Sequence, residues 1–539
     1  MCEAGCSKGA LRSQKTGVRR QNMAGGLRRQ AANSDPLPIA VPRERHMARR
    51  HIGSVIVTLA AFLIPGALAS AQPTASPLID AVKAGDAETV RALIGLSADV
   101  NVAEVDGTTA LHWAAHLDDG STATLLLGAG ADVGTTTRYG IAPLSLAATN
   151  GSAKLIRILL EAGADPNHTT GEGETPLMTT ARAGVVAAIQ LLLDHGAEID
   201  AVEGWRGQTA LMWAASQDNA AAVATLIAGG ADLHAVSEGG FTPLLFAARE
   251  GNVETLGTLL EAGANPDDAL PNGTSALGLA TYNAQYEAAA RLLEAGADAD
   301  ASGQGWTALH QVVWTRRPNL GRNPPFPVPL GRLDGLDMAR ILIEHGADPN
   351  LPQTKEPRDG NRNMLNRVGS TPFLLAAKAA DVPMMRLLAD MGADPSLTTE
   401  NGATPMMAAA GVGIWKIGEN PGTNEEALEA VALTWKLGND VKTTDANGDT
   451  ALHGAVHRGA DEIVRFLHEK GAVLDAVNET GWTALSIAEG VFYPNTFNRH
   501  PSIVTLLESL GADPTAGNRR PIDLAPWERE ALTANAPRP

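Results

Sequence analysis

The side chains best suited to chemistry in these 539 residues are thirteen histidines, two cysteines and many aspartates. His112, His310 and His453 each stand fourth in a T-A-L-H phrase, too far apart in sequence to share a helix. A zinc hydrolase would present two imidazoles and a carboxylate on one helical face, as H-E-x-x-H does, and that spacing is missing. Glycine-rich phosphate loops and G-x-S-x-G are missing too. The phrases Gly163-Ala164-Asp165-Pro166-Asn167 and Gly346-Ala347-Asp348-Pro349-Asn350 supply oxygens, yet too few in one loop for the six to eight ligands that calcium takes. Cys2 and Cys6 lie at the extreme N-terminus, which leaves the rest of the chain without disulfides, thiol nucleophiles or cysteine metal sites. The residues predict no catalytic centre, no metal and no cofactor.

The spacing of these phrases describes the elements instead. Marking the Thr of each phrase gives Thr109, Ala142, Thr175, Thr209, Thr242, Ser275, Thr307, Thr371, Thr404, Thr450 and Thr483, with early intervals of 32 to 34 residues. About 22 residues after each mark comes the Gly-Ala-Asp phrase, preceded by an apolar run such as Leu155, Ile156, Ile158, Leu159 and Leu160, whose spacing forms one helix face. Each unit therefore predicts a helix, a tight turn, a second helix ended by Gly, and an extended loop to the next Thr. Thr or Ser caps the first helix, Pro suits its first turn, and Gly accepts the left-handed conformation after the second.

The period, the T-P-L-H or T-A-L-H phrase and G-A-D-x-N resemble the ankyrin repeat over nearly all of residues 77 to 515. The resemblance implies an all-α repeat solenoid: L-shaped helix pairs with β-hairpin fingers, stacked so that a concave face recognises protein partners. It also implies that His112, His310 and His453 bond within the repeat, while His195 and His345 precede cap glycines and read as structural. About twelve repeats are expected over 72–518, with a capping unit from Pro77 to Asn101 and a C-terminal cap or tail over 519–539.

Departures from the period point to a binding surface, since family membership names no partner. Extra residues fall near 316–334, 351–368, 411–423 and 491–499, and insertions in repeat proteins gather on one face. The residue before each Thr is expected at the fingertip, and there stand Phe241, Trp306 and Trp482. Just past the Ala-Ala pair lie Arg249, Glu250, Tyr282 and Trp314, and the proline-rich insertion carries Phe326. Aromatic and Arg side chains dominate interface energetics, so these eight residues are the expected partner contacts. Trp113, Trp213 and Phe246, inside first helices, are expected in the core.

Charge excludes one partner class. Residues 1–50 hold 11 basic and 3 acidic residues, so the remainder carries 31 basic against 57 acidic, a balance of −26. Nucleic acid is not expected as a partner, because phosphate contact needs basic patches.

From Met47 the chain reads Arg49, Arg50, an uncharged stretch Ile52 to Leu68, then Ala69-Ser70-Ala71, the order of a signal peptide cleaved after Ala71. Residues 1–46 make poor sense upstream of it and are expected not to belong to the functional protein. If retained, residues 47–71 would be a membrane anchor; otherwise no membrane contact is expected. The sequence thus predicts an exported, periplasmic or secreted, monomeric scaffold that binds an unidentified protein. Its alternatives are a secreted effector acting on another cell and, less favoured, an enzyme with a site built in the insertions.

Overall fold

A computed structural model of the chain describes residues 76–318, 327–357, 365–414, 421–490 and 499–518. The chain divides into two units, Met1–Pro65 and Gly66–Pro539. The first unit, with the expected extension and signal segment, lies outside the described residues, as do Phe326 and residues 519–539.

The described part of the second unit is built from twenty-four helices that alternate as first and second members of pairs. Most first helices run seven to nine residues and most second helices nine. Each first helix packs on its own partner and on the first helices before and after it; second helices stack in a parallel row. Isolated helices this short are marginal in water, so their stability comes from the apolar faces they share. In helix Ala153–Glu161 those are Leu155, Ile156, Leu159 and Leu160, all buried.

The capping residues behave as their chemistry requires. The hydroxyls of Thr175, Thr209 and Thr242 accept the backbone N–H of the residue three positions on, each at 3.3 Å. Asp86 and Asp119 do the same for second helices. Gly163 follows a second helix at φ +92°, where a Cβ would meet no neighbour within 4 Å; backbone angle, not space, demands glycine there.

The Asp and Asn of the Gly-Ala-Asp phrases hold neighbouring repeats together. Asn167 donates its amide to the Gly196 carbonyl at 3.0 Å and accepts the Glu198 N–H at 2.7 Å. Asn101 and Asn350 make the same pair of bonds to the repeats that follow them. Asp200, Asp267 and Asp475 each accept the N–H of the next phrase's Asp.

Two features differ from the sequence expectation. The fingers are tight turns, not β-hairpins: among the described residues there are isolated bridges at Ala103–Thr109 and Ala269–Ser275 but no strand. A finger closes with two short backbone bonds, such as Thr137 N–H to the Ile141 carbonyl and Gly140 N–H to the Thr137 carbonyl, each at 2.9 Å, and touches its neighbour through one more, as from Arg138 N–H to the Asp106 carbonyl at 2.8 Å. Five residues are too few to build a ladder. The excess near 411–423 also divides differently, because the first helix shortens to Pro405–Ala410 and the second, Asn424–Lys436, extends to 13 residues.

Candidate functional site

The T-A-L-H histidines are wholly occupied by the scaffold. His310 takes the Thr307 N–H on Nδ1 at 3.3 Å, which leaves Nε2–H to donate to the Ser370 carbonyl of the next finger at 3.1 Å. His112 and His453 make the same bridge to Ile141 and Trp482. Burial pushes His310 down to about 4 and lowers the other two as well, so all three are neutral connectors between repeats. Among the described residues no group of three His, Cys, Asp or Glu side chains could hold a metal.

Several of the expected contacts meet where the finger bases approach the first helices. Three of the expected contacts meet at one place: Arg249 lies 5.0 Å from the Phe241 ring and 5.1 Å from Phe246, its guanidinium paired with Glu250 at 2.9 Å. The Phe241 and Phe246 rings lie 5.0 Å apart, tilted by 34°. Two units on, Trp306 and Trp314 meet edge to face at 5.4 Å, Trp306 donates to Gln311 at 3.2 Å, and Arg367 stands 6.0 Å from Trp314. Tyr282 is half-buried at the end of helix Ala276–Tyr282.

Placement at the fingertip needs correction. The residue before Thr closes the base of the finger, as the Phe241 carbonyl does by accepting the Ser237 N–H at 3.0 Å. Phe241 and Trp306 are half-buried, and the Trp306 carbonyl accepts the Gln304 side-chain amide at 3.2 Å. Trp482 is 2% exposed and packed into the core, so it offers no ring to a partner. Gly411 and Val412 fill the space over Gly454, which aligns in the preceding first helix with Trp113, Trp213 and Phe246, and Trp482 is buried beside them. It lines a small cavity with Val412, His453 and Ile487.

The tips themselves hold aromatics that the sequence reading passed over. Tyr139 is 59% and Trp205 70% exposed, each with a neighbouring arginine, Arg138 or Arg206, 4.7 or 4.1 Å from its ring. Their signal was a ring three or four positions before the mark. Buried Glu203 shapes the Trp205 finger. Burial favours its neutral form, but N–H bonds from Trp205, Arg206 and Gln208 outweigh that and hold its pKa below the usual range.

Trp113 and Trp213, expected in the core, instead stand half-buried in the groove. Lys83 lies 4.4 Å from the Trp113 ring and Arg182 4.7 Å from that of Trp213. Only Phe246 of that set is fully buried. Successive first helices stack, and rings with cations upon them recur at the fourth position past the mark in Trp113, Trp213 and Phe246, with Leu146 and Thr179 between the first two. Such a surface combines apolar area with cation–π and hydrogen-bonding capacity.

Known proteins bear on this arrangement. A model of the family "Ankyrin repeats (3 copies)" matches residues 57–137, 144–237, 200–269, 244–322 and 423–518. The human Ankyrin repeat and SOCS box protein 16 is 34% identical over 217 residues, 40% of this chain and 42% of that protein. Danio rerio Putative palmitoyltransferase ZDHHC13 is 32% identical over 160 residues, 30% of this chain and 21% of that one. The chain thus spans less than half the length of these curated relatives. Among solved structures, the human ASB11 ankyrin repeat domain aligns with a TM-score of 0.38 and 29% identity, over 41% of this chain and 98% of that one. Repeat period, inter-repeat bonds and the family model, which covers well over half of the residues, agree that the chain belongs to the ankyrin repeat family.

Proposed function

We propose that this chain is a non-catalytic, exported scaffold that holds a protein partner in the groove between its fingers and first helices. Ankyrin repeat domains generally mediate protein–protein interaction. Ankyrin repeat proteins are typically non-enzymatic adaptors. The observation that carries the present reading is the pair of half-buried aromatic clusters, Phe241–Phe246–Arg249 and Trp306–Trp314–Arg367. Rings already held by neighbours lose little entropy on binding, which suits them to be anchors. Exposed Trp205 and Tyr139 offer further rings at the tips of more N-terminal fingers.

Co-purification of the native protein with mass spectrometry identifies the partner. Phe241→Ala with Trp306→Ala is expected to weaken its capture more than tenfold, with circular dichroism unchanged. Equal capture by the double variant would sink the assignment. The export reading rests on Met47 to Ala71 and expects a mature N-terminus near Gln72; sequencing an unprocessed chain from the native host would refute it.

A further inference from the structure

Farther along the groove, two departures from the repeat meet. Helix Pro405–Ala410 ends at Gly411, φ +124°, and residues 411–414 leave the helix to cross over Gly454. A Cβ at Gly454 would stand 2.5 Å from the Val412 nitrogen, so the crossing requires glycine there. The backbone of Gly413 then lies against Leu365, which comes from the lengthened finger two units earlier. Between them remains a cavity of about 220 Å³.

Its two sides differ in chemistry. Leu365, Val412 and Ile414 supply an apolar wall, while Asp445, Asp449 and His457 face it together with Asn366, Asn401 and Asn447. Asp445 is only 8% exposed. It accepts N–H bonds from Asn447 and Asp449, each at 2.9 Å, and Asp449 accepts the Asn478 amide at 2.8 Å. Neither carboxylate has a cationic partner among the described residues. Burial lowers the pKa of His457, opposed by the charge of Asp449 nearby. The position that carries Phe241, Trp306 and Trp482 in other fingers carries Asp449 in this one.

We infer that this cavity is a subsite for one basic side chain of the bound partner, an arginine or lysine whose stem lies on the apolar wall and whose cation faces Asp445 and Asp449. Two uncompensated carboxylates in a sheltered site favour a cation over a neutral group of equal shape far more than they would in open solvent. The volume accommodates one long side chain and not a folded element. Arginine suits it better than lysine, because its planar fork can engage two acceptors at once. The inference rests on the reading of the groove as a partner-binding surface and specifies one contact within it.

The test titrates the full chain with blocked tripeptides, acetyl-Ala-Arg-Ala-amide against its neutral isostere with citrulline, by calorimetry. The arginine peptide should bind at least tenfold more tightly. Asp445→Asn with Asp449→Asn keeps an acceptor oxygen for the turn bonds and should reduce that preference to within twofold; D449N alone, which leaves the Asp445 turn untouched, should lower it at least threefold. Equal binding of the two peptides, or a preference that survives both variants, overturns the subsite. Binding of free butylguanidinium with exclusion of both peptides overturns its assignment to a partner's side chain. The F241A/W306A variant should keep the arginine preference, so failure of the aromatic surface is distinguishable from failure of this pocket.

Discussion

His310 shows how a residue with catalytic chemistry becomes a structural one. Its imidazole receives a backbone N–H on one nitrogen and donates from the other, and no face remains for substrate. Folding lowers its pKa from 6.5 to about 4, so between those values the unfolded chain binds more protons than the folded one. Stability is therefore complete above about pH 6.5 and falls as the pH drops toward 4. The slope reaches about 1.4 kcal/mol per pH unit for each such histidine. Urea midpoints measured from pH 7 to 4.5 should show this decline, and His310→Gln should lower stability at pH 7 while flattening the slope by about one proton. An unchanged slope in that variant would show that the bridge does not control acid sensitivity. Trp482 departs from its sequence expectation in another way, since a ring expected among the partner contacts is packed into the core.

At the scale of the element, each first helix depends on the residue that precedes it. Ala142 occupies the capping position with extended backbone but no side-chain oxygen, unlike Thr175 and Thr209. The Ser145 N–H, which a capping hydroxyl would receive, therefore has no side-chain acceptor at the cap of helix Pro143–Thr149. Ala142→Thr should stabilise the fold by about 1 kcal/mol, read from chemical denaturation. No gain would mean that the buried site cannot admit the added atoms. The fingers follow a related rule of length: with so few residues they form turns, and their rigidity comes from single bonds to the next finger. That is why base and tip positions differ so sharply in exposure, as Phe241 and Trp205 do.

Across the Gly66–Pro539 unit, stability is carried from neighbour to neighbour, and an insertion is a weak point in that series. Around the 316–334 insertion an ion-pair relay compensates. Arg316 reaches fully buried Asp381, the cap of helix Val382–Asp390, at 2.8 Å. Arg317 reaches Glu426, at the start of helix Asn424–Lys436, also at 2.8 Å. Asp381 would otherwise be a buried carboxylate with its charge only distantly met by Arg317, 3.9 Å away. Arg316→Met should cost about 3 kcal/mol and split thermal unfolding into two transitions, seen by calorimetry. A single transition at the original midpoint would show that the relay is dispensable.

The sequence by itself determined the period, the helix pairs, the caps and the family, because these depend on contacts within one repeat or between identical positions of adjacent repeats. Local chemistry is enough for that: Thr, Pro, Gly and the Asp-x-Asn phrase each serve a bond a few residues away or exactly one repeat along. The meeting of Phe241, Arg249 and Glu250 was legible in the same way, since they lie on one finger and the helix that follows it. Which rings face the groove was decided only in three dimensions. Trp113 and Trp482 exchanged their expected places because exposure depends on what the neighbouring repeat puts opposite each ring. The acidic cavity belongs wholly to the tertiary structure, since its apolar wall and its carboxylates come from insertions and fingers up to two repeats apart, and no spacing along the chain records their meeting.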